Sequence, residues 1–493
     1  MSDASALPIF RVVGFSGHRQ IQDPAGFARV LAEQLEALRR EAPHEWIALS
    51  SAAEGSDQVF AVQAGALGLA WHAVLPLPAA EFAKDFSPVT WAGVEALLRQ
   101  AELVRVIAEN GTREDAYLDC GMETVNGADV LVALWDGEPA RGKGGTAEVV
   151  AYARSLGKPV VVIDAATLEA RRERFERLER NDRDLAHLNR LPAGAPAGAA
   201  NPFKTPAFIL AFQEKCDRAA TQGAPQFRRL IVATVLLHVL ATIIAAAALS
   251  FGLHLTTVPW LKLLCLGGAL GVAVVLRIHH HSQHSWVRCR LAAEFCRSAL
   301  ATWGLPRAAP LFEDIDLAGL RGLTRSLHVL HSRSALAQPV SMDLFRQTYL
   351  ERRIDDQLAY YRRQEARALP LFGWLRAGFW TATILALLST LAYAICDTAQ
   401  LTVPGWITSA GFYFLPIVLP VVAAALISLI SINDLQRRVA RYREMQVVLE
   451  DSRKRLSFCQ TWNSLERIVL KTERALLQEV LEWHSLTSFA ESH

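Results

Sequence analysis

The chain has 493 residues, of which 52% are hydrophobic and 20% are charged, and its mean hydropathy is +0.19. This composition is too apolar for a disordered protein and too charged for a pure bundle of membrane helices. Lys and Arg number 51 and Asp and Glu number 49, so the net charge of +2 does not indicate binding to long nucleic acid. The length predicts two or more domains.

Residues 1–190 alternate short apolar strands with helical patterns. Strands are predicted at Phe10–Phe15, Trp46–Leu49, Trp71–Pro76, Leu103–Ala108, Val130–Trp135 and Pro159–Ile163. Helical patterns lie between them, as at Gly26–Glu41 and Thr146–Leu156. This alternation predicts an α/β, Rossmann-like domain with a doubly wound parallel sheet. Such sheets bind ligands beyond the carboxyl ends of their strands.

Three polar turns follow these strands. They are GFSGHR at 14–19, SSAAEGSD at 50–57, and WDG at 135–137 continuing to GKGGTAE at 142–148. Glycines in such turns let a ligand approach the backbone, and helix N-termini offer N–H groups to an anion. The third turn approaches the phosphate-loop pattern G-x-x-x-x-G-K-[ST], but Gly144 stands where Ser or Thr would bind Mg²⁺. That departure disfavours an ATPase.

These turns, together with GGTAEVVAYARSLGKPVVVI at 144–163, resemble the SLOG superfamily. SLOG domains are Rossmann-like relatives of the cytokinin-activating LOG enzymes and of DNA-processing DprA proteins. The resemblance covers residues 8–170 and implies a domain that hydrolyses nucleotides or senses nucleotide-derived signals. LOG enzymes carry P-G-G-x-G-T-x-x-E with a catalytic Glu, whereas here Lys143 replaces a motif Gly and Glu148 comes two residues after Thr146. One residue rotates a helical side chain by about 100°, so we expect binding rather than catalysis.

The resemblance therefore implies a ligand site without a catalytic residue, a metal or a required cofactor. Its ligand would be a cyclic ADP-ribose isomer or a cyclic or linear oligonucleotide. Arg19, Lys143 and turn N–H groups would hold phosphate, while Asp57, Asp136 and Glu148 would contact ribose or base. The residues predicted to line the site are Gly14, Ser16, Gly17, His18, Arg19, Ser51, Glu54, Gly55, Asp57, Trp135, Asp136, Gly137, Lys143, Gly144, Gly145, Thr146 and Glu148. Trp135 fits an adenine contact and a place in the core about equally well.

A charged segment and a linker follow this domain. Arg171–Arg190 mixes Arg with Glu and Asp and predicts a charged helix with a solvated or protomer-facing surface. Residues 191–206 are rich in Pro, Ala and Gly, which is typical of an interdomain linker.

Four apolar runs beyond the linker are long enough to cross a bilayer. They are Leu230–Phe251, Trp260–Leu276, Ala377–Ile395 and Ser409–Ile432. The loops 252–259 and 396–406 contain no Lys or Arg, whereas Arg residues flank the other ends of the runs. The positive-inside rule therefore predicts that both short loops lie outside. We expect a multi-pass protein of the bacterial inner membrane with its N- and C-termini in the cytoplasm.

Helical segments adjoin both pairs of spans. Residues 286–297 carry the pattern W...R..AE..R and residues 349–361 carry Y...RI.DQ..YY. Asp434–Trp483 has the 3- to 4-residue apolar spacing of one amphipathic or coiled-coil helix. These patterns resemble SLATT domains, the two-span effector modules associated with SLOG domains in bacterial antiviral systems. The resemblance covers residues 210–490 as a doubled or split module, and it implies a membrane assembly that permeabilises the bilayer when a nucleotide signal arrives.

Four histidines at 279–281 and 284 mimic a metal site. Their place at the predicted boundary of the membrane, without an accompanying Cys–Cys or acidic ligand set, favours ordinary interfacial residues.

We therefore predict an antiphage membrane effector, a homo-oligomer that binds a nucleotide second messenger and the lipid bilayer. The predicted domains are 1–190 for ligand binding, 207–345 for the first two-span module and 346–493 for the second. A membrane-anchored nucleotide or nucleoside hydrolase, with Glu54, Asp57 and Glu148 as acid and base, is one alternative. A nucleotide-gated ion channel is another, by analogy of fold only.

Overall fold

The computed structural model describes residues 5–41, 44–107, 111–139, 143–176, 178, 183–192, 203, 205–253, 255–278, 280–306, 311–312, 317–337 and 340–489. Two compact units form, each from separated stretches of the chain. The sheet unit comprises Met1–Pro192, Pro206–Phe212 and Pro306–Gln338. The helical unit comprises Ala193–Thr205, Gln213–Leu305 and Pro339–His493. Most of the predicted linker, at 193–202 and 204, lies outside the described residues, as do the side chains of the histidine run.

Seven strands and seventeen helices are described. The strands are β1 Phe10–Gly17, β2 Glu45–Ser50, β3 Ala70–Leu75, β4 Leu103–Val106, β5 Val130–Trp135, β6 Val160–Asp164 and β7 Ala170–Glu173. The helices before residue 192 are α1 Pro24–Glu41, α2 Ser56–Ala66, α3 Ala79–Phe82, α4 Pro88–Leu98, α5 Arg113–Gly127, α6 Thr146–Ser155 and α7 Arg183–Asn189. The later helices are α8 Ala207–Ser250, α9 Thr257–Ile278, α10 His280–Thr302, α11 Arg321–Ala337, α12 Met342–Tyr349, α13 Asp356–Thr398, α14 Gly405–Ile407, α15 Leu415–Ile432, α16 Leu435–Ser457 and α17 Trp462–Phe489. Two π-helical stretches, Leu350–Asp355 and Thr408–Phe414, run directly into α13 and α15.

The strand order is β4-β3-β2-β1-β5-β6-β7. β1 pairs in parallel with both β2 and β5, so the direction of winding reverses beside β1. A crevice at the carboxyl ends of the strands is expected at that reversal. Strand β5 is buried from Val130 to Leu134, because helices cover a parallel sheet on both faces. The predicted α/β domain with a parallel sheet is thus confirmed, with six strands parallel.

Strand β7 corrects the prediction of a charged helix over Arg171–Arg190. β7 pairs antiparallel with β6, and the helix described in this segment is α7, Arg183–Asn189. The helical propensity of Arg and Glu is a weak preference, which backbone pairing with an open sheet edge outweighs. The mainly exposed charged side chains of β7 suit an edge strand, since charge discourages further strand pairing.

Two apolar layers cover the faces of the sheet. One face packs against α1 and α2, with Phe15, Leu31 and Phe60 fully buried between them. On the other face α6 covers β5 and β6. There α11 places Val329 among Phe10, Val12, Ile47 and Ala128. The sheet unit therefore takes one of its covering helices from residues 321–337, which the sequence assigned to the first two-span module.

Among its described residues, the helical unit contains four helical stretches long and apolar enough to cross a membrane. They are Arg229–Ser250, Thr257–Arg277, Met342–Thr398 and Gly405–Ser457. The most apolar parts of these stretches are only 11–22% buried, so most of their surface faces outward. The four predicted spans are thereby confirmed as candidate membrane helices.

The predicted single helix over Asp434–Trp483 is wrong, because two helices, α16 and α17, occupy this segment. Thr461 begins the second helix, its hydroxyl accepting a hydrogen bond from the backbone N–H of Ser464 at 3.3 Å. A threonine N-cap satisfies one of the free donors of a helix start. The apolar spacing continued across the break, so periodicity alone did not reveal it.

Candidate ligand site at the crevice of the sheet

The loops after β1 and β2 are joined to each other at the start of α2. The Ser56 hydroxyl donates to the backbone carbonyl of His18 at 2.8 Å. A Cβ on Gly17 would lie 2.4 Å from the Ser56 hydroxyl oxygen, and a Cβ on Gly55 would lie 2.0 Å from the carbonyl oxygen of Arg19. Gly55 also has a φ of +95°, which side chains rarely adopt. Glycine at both positions thus allows the first two predicted turns to meet.

The loop after β5 joins the same cluster through His18. The backbone N–H of Asp136 donates to His18 Nε2 at 3.0 Å, and the Asp136 Oδ1 atom lies 3.2 Å from the same nitrogen. Asp136 Oδ1 also accepts from the Glu138 N–H at 3.1 Å, which orders the turn at Gly137. All three predicted turns therefore come together beside β1, as expected where the winding reverses.

Asp57 is the buried carboxyl group of this cluster. It lies in the first turn of α2, is 5% exposed, and accepts a hydrogen bond from the Ser51 hydroxyl at 2.8 Å. Burial raises the pKa of Asp57 to about 7, against the opposing effects of the Ser51 hydrogen bond and the Arg19 charge. A carboxyl group whose charge changes near neutral pH suits recognition of hydroxyl groups or proton transfer.

Arg19 is held by residues that the sequence analysis missed. Its guanidinium carbon lies 5.5 Å from the centroid of the Tyr117 ring. The Tyr117 hydroxyl donates to Asp85 at 2.5 Å, and Arg113 pairs with the same carboxylate at 2.7 Å. Among the described residues Arg19 forms no hydrogen bond or ion pair, so its exposed guanidinium remains available to an anion. No strand-end signal marks Asp85 or Tyr117, since they lie in the α3–α4 region and in α5.

Lys143 is engaged within the protein, unlike Arg19. Its ammonium pairs with Asp115, a residue that also forms a capping box with Thr112 at the start of α5. These hydrogen bonds, from Lys143 first and then Thr112, hold the pKa of Asp115 well below its usual range. A phosphate that binds Lys143 would have to compete with Asp115.

Glu148 also has a partner inside its own loop. Its carboxylate accepts from the backbone N–H of Gly144 at 2.6 Å. Gly144 has a φ of +81°, and a Cβ there would lie 2.9 Å from the backbone nitrogen of Leu118 on α5. The loop before α6 therefore packs closely against α5 at Gly144, and the hydrogen bond from Gly144 to Glu148 stabilises the loop.

The remaining predicted residues occupy different positions. Trp135 packs beside α6, where Arg154 lies 5.3 Å from its ring centroid and the indole N–H donates to the carbonyl of Glu138. Gly14 lies within the sheet, where a Cβ would meet Ala128 at 2.7 Å. Ser16 and Gly145 are half-buried, Thr146 is buried and Glu54 is exposed. Gly142 lies outside the described residues.

In the helical unit, residues of the two quoted helix patterns form polar contacts between helices. From the second pattern, Arg353 forms two hydrogen bonds to the carboxylate of Glu473, at 2.6 and 2.9 Å, and Tyr349 donates to that carboxylate at 2.8 Å. Arg353 also donates to Ser298 on α10 at 3.2 Å. From the first pattern, Arg297 pairs with Asp217 on α8 at 3.1 Å. The quoted residues of both patterns thus contribute to contacts between helices.

Part of this chain matches a known protein family. Residues 211–337 match the family described as SMODS and SLOG-associating 2TM effector domain 3. The matched residues, named here the 2TM effector segment, run from near the start of α8 to the end of α11. No curated protein matches the chain.

The 2TM effector segment confirms the predicted SLATT-like module for these residues. It contains the first two candidate membrane helices, α8 and α9. Together with the apolar stretches after residue 342, it indicates a membrane protein. The second SLATT-like module and the SLOG character of the sheet unit stay predictions.

Proposed function

We propose that this chain is an antiphage-defence effector of the bacterial inner membrane. Its sheet unit binds a nucleotide-derived second messenger, and its helical unit permeabilises the membrane as a homo-oligomer. The observation that carries this proposal is the match of residues 211–337 to a 2TM effector domain, in a chain whose parallel sheet reverses its winding beside three polar turns. Both termini lie in the cytoplasm in this proposal, as the positive-inside rule predicts.

The crevice supports a ligand that carries both phosphate and hydroxyl groups. Arg19 offers a guanidinium that forms no ion pair among the described residues. Helix α6 begins at the crevice with Gly145 and without a side-chain cap, which favours an anion at its N-terminus. The start of α2 is already engaged, since the Ser56 N–H donates to the His18 carbonyl at 3.3 Å. Ser51 with Asp57 presents a polar pair for ribose. A cyclic ADP-ribose isomer or a cyclic or linear oligonucleotide has this chemistry, and the proposal requires no cofactor.

The surface of the spans supports a bilayer and further copies of the chain as partners. Trp260, Leu264 and Leu387 are each about 70% exposed. Large apolar side chains this exposed in long helices need lipid or other helices around them. Ala377–Ile395 and Ser409–Ile432 contain no charged residue, so a pore through them requires several chains.

Asp57 favours a second candidate, a membrane-anchored hydrolase. A buried carboxyl group with a pKa of about 7 beside a serine hydroxyl is suited to general acid–base catalysis. The other acids considered for that role are placed less favourably, since Glu54 is exposed and Glu148 is bound to the Gly144 N–H.

Ligand binding can be tested with the full chain purified in detergent, since residues 306–338 belong to the sheet unit. Calorimetry would use cyclic ADP-ribose isomers, cyclic dinucleotides and linear oligonucleotides, and chromatography would follow their products. We expect one of them to bind without turnover. Arg19→Ala should weaken that binding about tenfold or more, because a charge-assisted phosphate contact is lost. Arg99→Ala, which changes an exposed Arg directly after α4, is the matched control.

The outcomes separate the candidates. Multiple turnovers of the bound compound would support the hydrolase instead of the sensor. Failure of every probe to bind would overturn the messenger role. For the membrane step, dye-loaded liposomes that contain the full chain should leak when the bound compound is added, and intact vesicles would overturn permeabilisation.

A further inference from the structure

Helix α11, the last helix of the 2TM effector segment, is attached to the sheet by a buried charge. Arg325 pairs with Asp129, whose side chain is 5% exposed and also accepts from the Val12 N–H at 2.8 Å. The same guanidinium donates to the carbonyl oxygen of Gly127 at 3.3 Å. Removing one partner of such a buried pair leaves an uncompensated charge, so the contact strongly favours the docked helix.

A second attachment lies two turns further along α11. Arg333 pairs with Glu45 at 2.5 Å and with Glu102, and its guanidinium carbon lies 5.1 Å from the centroid of the Phe10 ring. The desolvation of Glu102 is outweighed by hydrogen bonds from His72 and Arg333, which lower the pKa of Glu102 to about 2. Arg333 therefore holds α11 to the sheet unit through Glu45 and Glu102, neither of which lies in α5.

Helix α5 spans the distance between Arg325 and the candidate ligand site. Its first two turns hold Asp115, the partner of Lys143, and Tyr117, the ring beneath Arg19. Its last residue is Gly127, whose carbonyl accepts from Arg325. Fifteen residues of helix extend about 22 Å. One hydrogen-bonded element thus contacts the ligand loops at one end and α11 at the other.

We propose that α5 and α11 form the transmission link between the ligand crevice and the effector. This inference rests on the proposed ligand role of the crevice. A ligand that competes for Lys143 or draws Arg19 from Tyr117 changes what α5 is bound to at its N-terminal end. Arg325 couples the other end of α5 to α11, and α11 is followed after four residues by α12. Because coupling is reciprocal, a change at Arg325 must alter the ligand loops even when no ligand is present.

Hydrogen exchange of the full chain in lipid nanodiscs, without ligand, tests this link separately from the proposed function. Arg325→Ala should speed amide exchange about tenfold or more in two places remote from the substitution, the first turns of α5 and the loop 143–148. Arg333→Ala is the matched variant, since it frees α11 from β2 and Glu102 without removing a contact to α5. It should leave both places at the parental rate.

Two results would overturn the link. One is an Arg325→Ala effect confined to α11 and residues 127–130. The other is an equal effect of Arg333→Ala at the ligand loops, which would show general loosening of the unit. If Arg325→Ala does not fold, Arg325→Lys makes the same test, because it keeps the charge for Asp129 and loses the bond to Gly127. These outcomes do not depend on the identity, or the existence, of a messenger.

Discussion

Gly55 allows the turns after β1 and β2 to approach each other. Its left-handed φ of +95° and its contact with the Arg19 carbonyl leave no room for a side chain. We predict that Gly55→Ala lowers the free energy of unfolding by about 2–4 kcal/mol, because backbone strain and a clash with main chain add together. Thermal unfolding of the full chain in detergent measures this change.

The control for Gly55 lies in α2, the helix that begins directly after it. A Cβ on Gly65 would meet nothing within 4 Å, so Gly65→Ala should stabilise α2 by up to about 1 kcal/mol. Equal effects of the two substitutions would contradict the role assigned to Gly55.

The raised pKa of Asp57 predicts that the stability of the chain depends on pH. The pKa of Asp57 is about 7 in the folded chain, against 3.8 for an ordinary Asp in the unfolded chain. Between these pH values the folded chain keeps a proton on Asp57 that the unfolded chain has lost. Stability therefore falls as pH rises from about 4 to about 7, by up to about 4 kcal/mol. Asp57→Asn, which has no proton to lose, should raise the melting temperature at pH 8 and have little effect at pH 4.

Melting curves of the parent and of Asp57→Asn across this pH range measure the effect. Glu54→Gln, at the exposed neighbouring acid, should follow the parent. A stability difference between Asp57→Asn and the parent that does not change with pH would refute the raised pKa.

Single residues of the crevice were predictable where a strand ends. His18, Ser51, Asp57 and Asp136 come together because parallel strands present their carboxyl ends at one sheet edge. Asp85 and Tyr117 follow no strand, and only the approach of α5 to the α3–α4 region places them beneath Arg19. The sequence also could not show that Lys143 and Glu148 have partners inside the protein, since those contacts depend on how α5 and α6 pack.

At the scale of helices, the Arg353–Glu473 pair sets the packing of α17 against the π-helical stretch before α13. Both side chains are nearly inaccessible, at 6% and 0% exposed. We predict that Glu473→Ala costs about 3–5 kcal/mol of stability, because Arg353 is left buried without its counter-ion. The double variant Arg353→Met with Glu473→Leu should lose much less, since no buried charge remains.

Unfolding of the single and double variants in detergent compares these costs. The exposed pair Arg362–Glu450, at 59% and 47%, offers a control in the same unit, and Glu450→Ala should cost less than about 1 kcal/mol. Additive losses in the double variant would show that Arg353 and Glu473 do not act as a pair.

Elements with a strong apolar pattern were predicted well, whereas a charged edge strand and a break between two helices were missed. The bounds of all six predicted strands agree with the structure within two residues. Three of these strands, Trp46–Leu49, Val130–Trp135 and Pro159–Ile163, are uninterrupted apolar runs. β7 was missed because its stability comes from pairing with β6, to which its charged sequence gives no clue. The break between α16 and α17 was missed because apolar spacing continues through it.

The arrangement of the whole molecule in the membrane yields a further prediction. If the short loops lie outside, Thr256→Cys in a Cys396→Ser background should react with a membrane-impermeant maleimide in spheroplasts. Ser457→Cys, at the end of α16, should react only after the membrane is opened. Cys396 is replaced because it is partly exposed and could itself react, whereas the other six cysteines are buried. The reverse labelling pattern would contradict the proposed orientation.

Local sequence determined that this chain has four apolar runs long enough to cross a membrane and an α/β domain. Long uncharged runs and alternating strands and helices carry their signal within a few turns of chain, where hydrophobic burial and backbone pairing act. Tertiary structure alone decided that α11, nearly 200 residues beyond Asp129, covers the same sheet. Such a contact depends on complementary charge and shape between distant segments, which composition and periodicity do not encode. The connection between crevice and effector segment therefore became visible only in the folded chain.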